Sequence, residues 1–408
     1  MTLRESTDQA AQTADWRTHH EQAILPALGR PQRLLVRGKG ARVWDETGRE
    51  YLDLLAGIAV NSLGHAHPAL VGAVTAQLET LGQVSNFFAS PPQIGLAEKL
   101  LSVAQAPAGS SVYFCNSGAE ANEAALKMSR RVGEGRSKVV AVEGSFHGRT
   151  MGALALTSKE AYRAPFAPGV PDVVHVPFGD VAALRAAVDD SCAAVFVETI
   201  QGESGIRNHP AGYLGAAREA TSAVGALLIL DEIQTGIGRC GSWFAFQDPQ
   251  LGEGIVPDIV TSAKGLGGGL PLAATIAFGA ATTALLQPGQ HGSTYSGNPV
   301  TTAGGLAVLD TIEADGLLAH VRELGGWFAE RLRAIDGISD VSGAGLLLGV
   351  ELAAGNAKRV ADAALAAGFI VNPVTDTRLR FAPPLIITAE ELTEFLDALP
   401  AILAAAQD

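Results

Sequence analysis

The segment Asp258-Ile259-Val260-Thr261-Ser262-Ala263-Lys264-Gly265-Leu266-Gly267-Gly268-Gly269 decides how the chain is read. Its first half is an apolar, β-branched run of strand length, and its second half is a glycine turn too small to cover a side chain. A lone lysine leaving a buried strand at that point is a candidate for an amine that forms a Schiff base, because burial favours the neutral, nucleophilic form. Surface lysines need no such setting.

A second apolar run, Ala226-Leu227-Leu228-Ile229-Leu230, ends in Asp231, with Gln234 close behind. A carboxylate and a lysine at the carboxyl ends of two strands of one α/β sheet face the same crevice, the usual ligand site of that architecture. Pyridoxal phosphate needs that pair: an amine for its aldehyde and an acid that keeps its ring nitrogen protonated, so that the ring acts as an electron sink. A third piece offers a phosphate site. The strand-like residues 112–115 run into Asn116-Ser117-Gly118-Ala119-Glu120 and then into a helical stretch at 121–131. Ser117 and Glu120 have capping-box spacing, and the free N–H groups and positive dipole end of such a helix start favour an anion. Most capping boxes bind nothing, so this piece is informative only beside the other two.

Strands are expected at 112–115, 138–142, 173–176, 194–198, 227–231, 259–263 and 275–278, with helix-like runs such as 181–188 and 214–224 between them. That alternation predicts an α/β chain with a mainly parallel seven-stranded sheet covered on both faces. After Asn298 the texture changes to two long helical stretches at 301–314 and 317–335, a strand at 346–352 and a helix at 356–367. Short strands near Ile370 and Leu379 and a helix at 389–404 follow. The expected division is an N-terminal segment 1–65 that joins the small domain through 42–55, a large cofactor-binding domain 66–298, and a C-terminal small α/β domain 299–408.

At 408 residues, with 47% hydrophobic and 17% charged residues, the chain is long and apolar enough for two packed domains and unlike a disordered one. A net charge of −13 disfavours nucleic acid and anionic membranes as partners. Cys115, Cys192 and Cys240 form neither a disulfide framework nor a metal-ligand spacing, which suits a reducing cytoplasm. Glu5, Asp8 and Asp15 argue against a mitochondrial transit peptide, and residues 1–21 lack the apolar core of a secretory signal.

Three other features of the sequence admit rival readings. The stretch 265–290 carries no charge, yet Pro271, its glycines and its threonines make a buried strand at 273–278 plus a short helix the better reading than a membrane span. His65 and His67 alternate without a third ligand at metal spacing, so no metal is expected. Gly236-Ile237-Gly238-Arg239-Cys240-Gly241 satisfies GxGxxG and raises a nicotinamide-dependent dehydrogenase. Asp248-Pro249 arrive before a crossover helix could form, which argues against it.

The segments NSGAEANEAALK (116–127), SFHGRT (145–150), LDEIQTGIGR (230–239), TSAKGLGGGLP (261–271), HGSTYSGNP (291–299) and RFAPPLI (380–386) resemble, in order, the signatures of class III pyridoxal phosphate aminotransferases. That group contains acetylornithine, ornithine and 4-aminobutyrate aminotransferases, and the resemblance runs from about Arg37 to about Leu399. It implies fold type I and a homodimer with active sites at the subunit interface. It implies Lys264 as the cofactor lysine and proton carrier, Asp231 at the ring nitrogen and Gln234 near the phenolic oxygen. By the same resemblance Gly118 and Ala119 bind the phosphate through their amides and Phe146 stacks on the ring. Ser293 and Thr294 match a Ser-Thr pair that reaches the phosphate of the partner subunit.

For the substrates the resemblance implies Arg149 as a bidentate carboxylate binder and Arg380 as a second one, paired with Glu203. The chemistry needs such a switch, since the amino donor reacts at a terminal amine far from its α-carboxylate whereas glutamate reacts at its α-carbon. Ile58 aligns where ornithine aminotransferases have a tyrosine and acetylornithine enzymes an aliphatic residue, and an apolar residue suits an acetylated α-amine better than a free ammonium. The resemblance is closest to the acetylornithine subgroup. That implies ping-pong transfer of the terminal amine of N2-acetyl-L-ornithine to 2-oxoglutarate, giving N-acetyl-L-glutamate 5-semialdehyde and L-glutamate, in arginine biosynthesis. Ornithine, succinylornithine and succinyldiaminopimelate aminotransferases, or a broad-specificity enzyme, remain alternatives. Thr199 stands where the family commonly has proline, and Ser296 where glycine is common, and either change is expected to bear on the loops around Glu203 and Thr294.

Overall fold

A computed structural model describes residues 16–407, so the reading of Glu5, Asp8 and Asp15 lies outside the described residues. Strands β1 (Leu35–Lys39), β2 (Arg42–Asp45) and β3 (Glu50–Asp53) form an antiparallel meander. The middle of the chain contributes β4 (Ser111–Cys115), β5 (Lys138–Val142), β6 (Val173–Val176) and β7 (Cys192–Glu198). A short ribbon, β8 (Ile200–Gln201) with β9 (Arg207–Asn208), precedes β10 (Leu227–Asp231), β11 (Ile259–Ser262) and β12 (Ala273–Ala277).

The seven-stranded sheet has the order β4-β12-β11-β10-β7-β5-β6. From β11 to β6 it is parallel, and β12 runs antiparallel to both of its neighbours. The reversal follows from the connection, because between β11 and β12 the chain makes only a 3₁₀ turn, Lys264–Gly267, and no crossover helix. Every residue of β7 and β10 is buried, as expected where helices cover both faces of a parallel sheet.

The later strands are β13 (Ile338–Ala344), β14 (Leu347–Leu352), β15 (Phe369–Ile370), β16 (Asn372–Pro373) and β17 (Arg378–Phe381). A second sheet has the order β13-β14-β17-β16, while β15 pairs parallel with β3, Phe369 opposite Leu52. The N-terminal meander thus completes its sheet with C-terminal chain. Nothing in the sequence announces β13, whose residues Ile-Ser-Asp-Val-Ser-Gly-Ala bury only Val341, because an edge strand needs little apolar content.

The helix Pro299–Ala314 packs on the helices Pro68–Thr80 and Pro91–Val103, although it falls in the range expected for the C-terminal unit. Its Gly304 and Gly305 let it lie against the glycine turn that follows Lys264, where an added Cβ would come within 2.5 Å of Leu270 and 2.6 Å of Leu272. One buried cluster joins three sheets, from Leu52 in β3 through Leu230 in β10 to Phe381 in β17. The uncharged stretch 265–290 is this turn, β12 and the short helix Gly279–Thr283, and no helix among the described residues is long and apolar enough to cross a membrane. Residues 236–241 form a tight turn, followed by a 3₁₀ turn at Ala245–Gln247 and no crossover helix before β11.

Candidate active site

A cavity of about 570 Å³ opens at the carboxyl ends of β10 and β11. Lys264 and Asp231 line it from these two strands, with Gln234 and Ile233 from the turn beyond β10. Lys264 takes φ +42°, a left-handed conformation that a non-glycine residue holds only under constraint from its surroundings. Burial and the nearby Arg380 charge bring its amine down to about 8, against the pull of Glu203, Asp231 and Glu198.

Asp231 is buried and held on three sides. Its Oδ2 accepts from Asn122 Nδ2 at 2.8 Å and lies 2.8 Å from His147 Nδ1, and its Oδ1 accepts from Ile233 N at 3.0 Å. Burial alone would lower His147, but the hydrogen bond and charge of Asp231 outweigh it and hold the imidazole above its usual value. Asn122 also donates to His147 O at 2.7 Å and accepts from Thr261 Oγ1 at 2.9 Å, which locks the helix Gly118–Ser129 to β11. Neither Asn122 nor His147 stood out in the sequence. The available signal was a polar residue one turn into an otherwise apolar helix face, which is too common to single out.

The first turn of the helix Gly118–Ser129 forms another wall. Ser117 caps it by accepting from Glu120 N at 3.2 Å, while Glu120 reaches one residue further back than a capping box requires, to Asn116 N at 2.6 Å. The helix begins at Gly118, three residues earlier than expected, and the N–H groups of Gly118 and Ala119 have no intrahelical carbonyl to meet. A Cβ at Gly118 would lie 2.7 Å from Ile233 Cδ1, so glycine is what lets the helix start and the turn after β10 close on one cavity.

Glu203, on the cavity wall, meets Arg380 at 2.6 Å. Arg380, in β17, is 2% exposed and also donates to Asn372 Oδ1 at 2.8 Å and Gln234 Oε1 at 3.2 Å. Burial tends to raise the Glu203 carboxyl, but the Arg380 charge and hydrogen bond take it below its usual value. Glu198 lies deeper, accepting from Phe146 N and Gly202 N at 2.9 Å each. Burial pushes its carboxyl up to about 7, with the His147 charge opposing and the Asp231 charge reinforcing.

Phe146 and Arg149 line the cavity too, Arg149 exposed and its guanidinium 5.6 Å from the Phe146 ring centre. Ser293 and Thr294 stand apart from this wall. Asn86 Nδ2 donates to Ser293 O at 3.1 Å and Gln83 Nε2 to Thr294 O at 2.8 Å, and Thr294 is exposed. Ser293 Oγ touches the rim only through Asn116 Nδ2, at 3.4 Å. Ile58 is 38% exposed and off the cavity wall, which Val60 lines instead. It sits in a left-handed helical turn, with φ of +50°, +65°, +67° and +59° from Ala56 through Ala59. Asp53 Oδ1 anchors that turn by accepting from Leu55 N at 3.0 Å and Ala56 N at 2.8 Å. His65 is tied to Asp53, Nε2 to Oδ2 at 2.9 Å.

The two departures have local roles. Thr199 Oγ1 donates to the fully buried Glu232 Oε1 at 2.6 Å, and Ser296 Oγ lies 3.1 Å from Tyr113 Oη. Each ties its loop to a neighbouring element.

A strand-end lysine, a strand-end carboxylate and an anion-ready helix start around one cavity are the parts of a pyridoxal phosphate site, and the family comparison agrees with them. The profile of the family Aminotransferase class-III matches residues 27–403, and the chain belongs to that family. It is a pyridoxal phosphate-dependent aminotransferase. The chain is similar to the acetylornithine aminotransferase of Mycolicibacterium smegmatis, 54% identical over 391 residues that cover 95% of this chain and 98% of that one. The acetylornithine aminotransferase of Streptomyces coelicolor is 52% identical, covering 93% of each chain. Among solved structures, the ornithine aminotransferase of Toxoplasma gondii superposes with a TM-score of 0.91 at 30% identity, covering 100% of this chain and 99% of that one. A Bacillus anthracis aminotransferase gives 0.89 at 28%, covering 97% and 99%.

Proposed function

We propose that the enzyme transfers the terminal amine of N2-acetyl-L-ornithine to 2-oxoglutarate, giving N-acetyl-L-glutamate 5-semialdehyde and L-glutamate, as a step of arginine biosynthesis. The relatives that cover nearly the whole chain carry the acetylornithine aminotransferase name. The structural observation that carries the reading is the Glu203–Arg380 ion pair, whose glutamate lines the Lys264 cavity. In this reading the arginine charge is masked for one substrate and available to the other.

When bound, pyridoxal phosphate supplies an aldehyde that condenses with amines and a ring that draws electrons from the adjoining carbon. In this reading Lys264 holds the cofactor covalently and then, released, carries the proton to and from the substrate carbon bearing the amine. Its lowered basicity suits both tasks. Asp231 keeps the ring nitrogen protonated, with His147 and Asn122 fixing its carboxylate. The Gly118 and Ala119 amides take phosphate oxygens, Phe146 covers one face of the ring and Gln234 meets its phenolic oxygen. Arg149 binds the carboxylate remote from the reacting carbon, and Arg380 takes the α-carboxylate of 2-oxoglutarate or glutamate once Glu203 lets go.

Ser293 and Thr294 complete the phosphate site of a second subunit, which makes the working unit a homodimer. Supporting this, Phe87 and Phe88 next to the Asn86 contact with Ser293 are 92% and 68% exposed, and Tyr295 is 59% exposed. In this reading Ile58, although off the cavity wall, contributes to substrate choice. The division into residues 1–65, 66–298 and 299–408 goes with this reading. Three buried free cysteines fit a cytoplasmic enzyme.

Steady-state assay of the holoenzyme tests the proposal. Glutamate should form from N2-acetylornithine and 2-oxoglutarate, and Lys264→Ala should abolish both the turnover and the visible colour. A coloured, active Lys264→Ala variant would remove that lysine from the chemistry.

A further inference from the structure

Arg149 is an exposed cation at the rim of the cavity, and it has no carboxylate partner within ion-pair distance among the described residues. What holds it is an aromatic ring. Its guanidinium carbon lies 3.5 Å from the ring centre of Tyr162, carried on the short helix Glu160–Arg163. Tyr162 is itself fixed by Phe146, edge to face at 6.4 Å and 87°, and Lys159 Nζ lies 4.8 Å from the Tyr162 ring centre. Tyr162 belongs to none of the six motifs, and nothing in its sequence context singles it out.

We propose that Tyr162 is a positioning residue for substrate recognition, which stacks on Arg149 and thereby sets the guanidinium to receive a carboxylate. The inference rests on Arg149 being the carboxylate binder. The geometry is compatible with both contacts at once, since an aromatic ring occupies the face of a guanidinium and a carboxylate takes two N–H groups along its edge. An arginine free in solvent loses rotamer freedom each time a substrate binds, whereas one already stacked has lost it beforehand. The same contact acts on every carboxylate that Arg149 receives, in ground state and transition state alike, so its effect falls on KM and not on kcat. Through Phe146 the stack also joins the carboxylate site to the ring expected to cover the cofactor.

The test is calorimetric binding of glutarate, a dicarboxylate with no reacting carbon, to holoenzyme carrying Tyr162→Leu or Tyr162→Phe, alongside steady-state kinetics. Tyr162→Leu is expected to weaken glutarate binding, and to raise KM for both carboxylate substrates, by about three- to thirtyfold, the range of a cation–π contact. Its kcat should stay within about twofold of wild type, Tyr162→Phe should bind glutarate like wild type, and Tyr162→Leu should have no further effect on binding in an Arg149→Ala background. Unchanged glutarate affinity in Tyr162→Leu would overturn the proposal, as would equal damage by Phe and Leu or an undiminished effect of Leu without Arg149. If wild type fails to transaminate N2-acetylornithine, the substrate reading falls while the glutarate comparison still decides the role of Tyr162.

Discussion

Arg380 Nη1 and Glu203 Oε1 lie 2.6 Å apart although 177 positions separate the two residues, and the arginine is almost wholly buried while the glutamate stays half-exposed. The asymmetry matters for function. A carboxylate at the edge of the cavity can swing away, whereas a cation held by Asn372 and Gln234 cannot follow it. In the proposed reading the pair is a gate whose moving part is Glu203.

Arg380→Ala should slow the 2-oxoglutarate half-reaction at least about tenfold more than the amino-donor half-reaction, the scale of one lost charge-assisted contact. Stopped-flow measurement of the two half-reactions separately checks this. Equal loss in both would dismiss the gate.

Lys264 should make capture of the cofactor pH-dependent. Its amine is brought down to about 8, so the neutral form dominates above that value and the protonated form below it. The rate at which stripped enzyme captures pyridoxal phosphate should rise with pH through a midpoint near 8. A midpoint close to that of an ordinary lysine would mean that the pocket does not tune the amine.

His147→Ala removes one of the two side chains that fix the Asp231 Oδ2 atom. Loss of a charge-assisted bond of this type is expected to weaken cofactor affinity about tenfold to a hundredfold. Spectrophotometric titration of the stripped variant reads the change directly.

Thr199→Val should destabilise the protein by about 1–3 kcal/mol, because a buried carboxylate loses a donor. Burial holds the Glu232 carboxyl above its usual value despite four donors, so the folded protein binds that proton more tightly than the unfolded chain. Stability therefore falls as pH rises from the ordinary carboxylate range through the raised value, and a missing donor extends the window upward. Urea unfolding should show a larger deficit for the variant at pH 8 than at pH 5.

What the sequence revealed and what it hid divide along physical lines. Buried strands such as Lys138–Val142 and Leu227–Asp231 were legible to the residue, since continuous apolar runs between turns admit few alternatives. The edge strand Ile338–Ala344 was not, because backbone pairing and not side-chain burial forms it. Lys264 and Asp231 announced themselves by ending such runs. Asn122 and His147 did not, because their meaning depends on meeting Asp231 across 109 and 84 positions of chain. Ile58 shows the same limit in reverse. Its alignment was readable, but the left-handed turn that carries it off the cavity wall was not, since three of the four residues in that turn are not glycine.

The most direct test of the account is a single-turnover half-reaction, following loss of the bound cofactor's visible absorbance on mixing with N2-acetylornithine, ornithine, succinyldiaminopimelate or 4-aminobutyrate. The account predicts fast bleaching by N2-acetylornithine, with ornithine slower by orders of magnitude. Comparable or faster bleaching by any of the other three donors would contradict it.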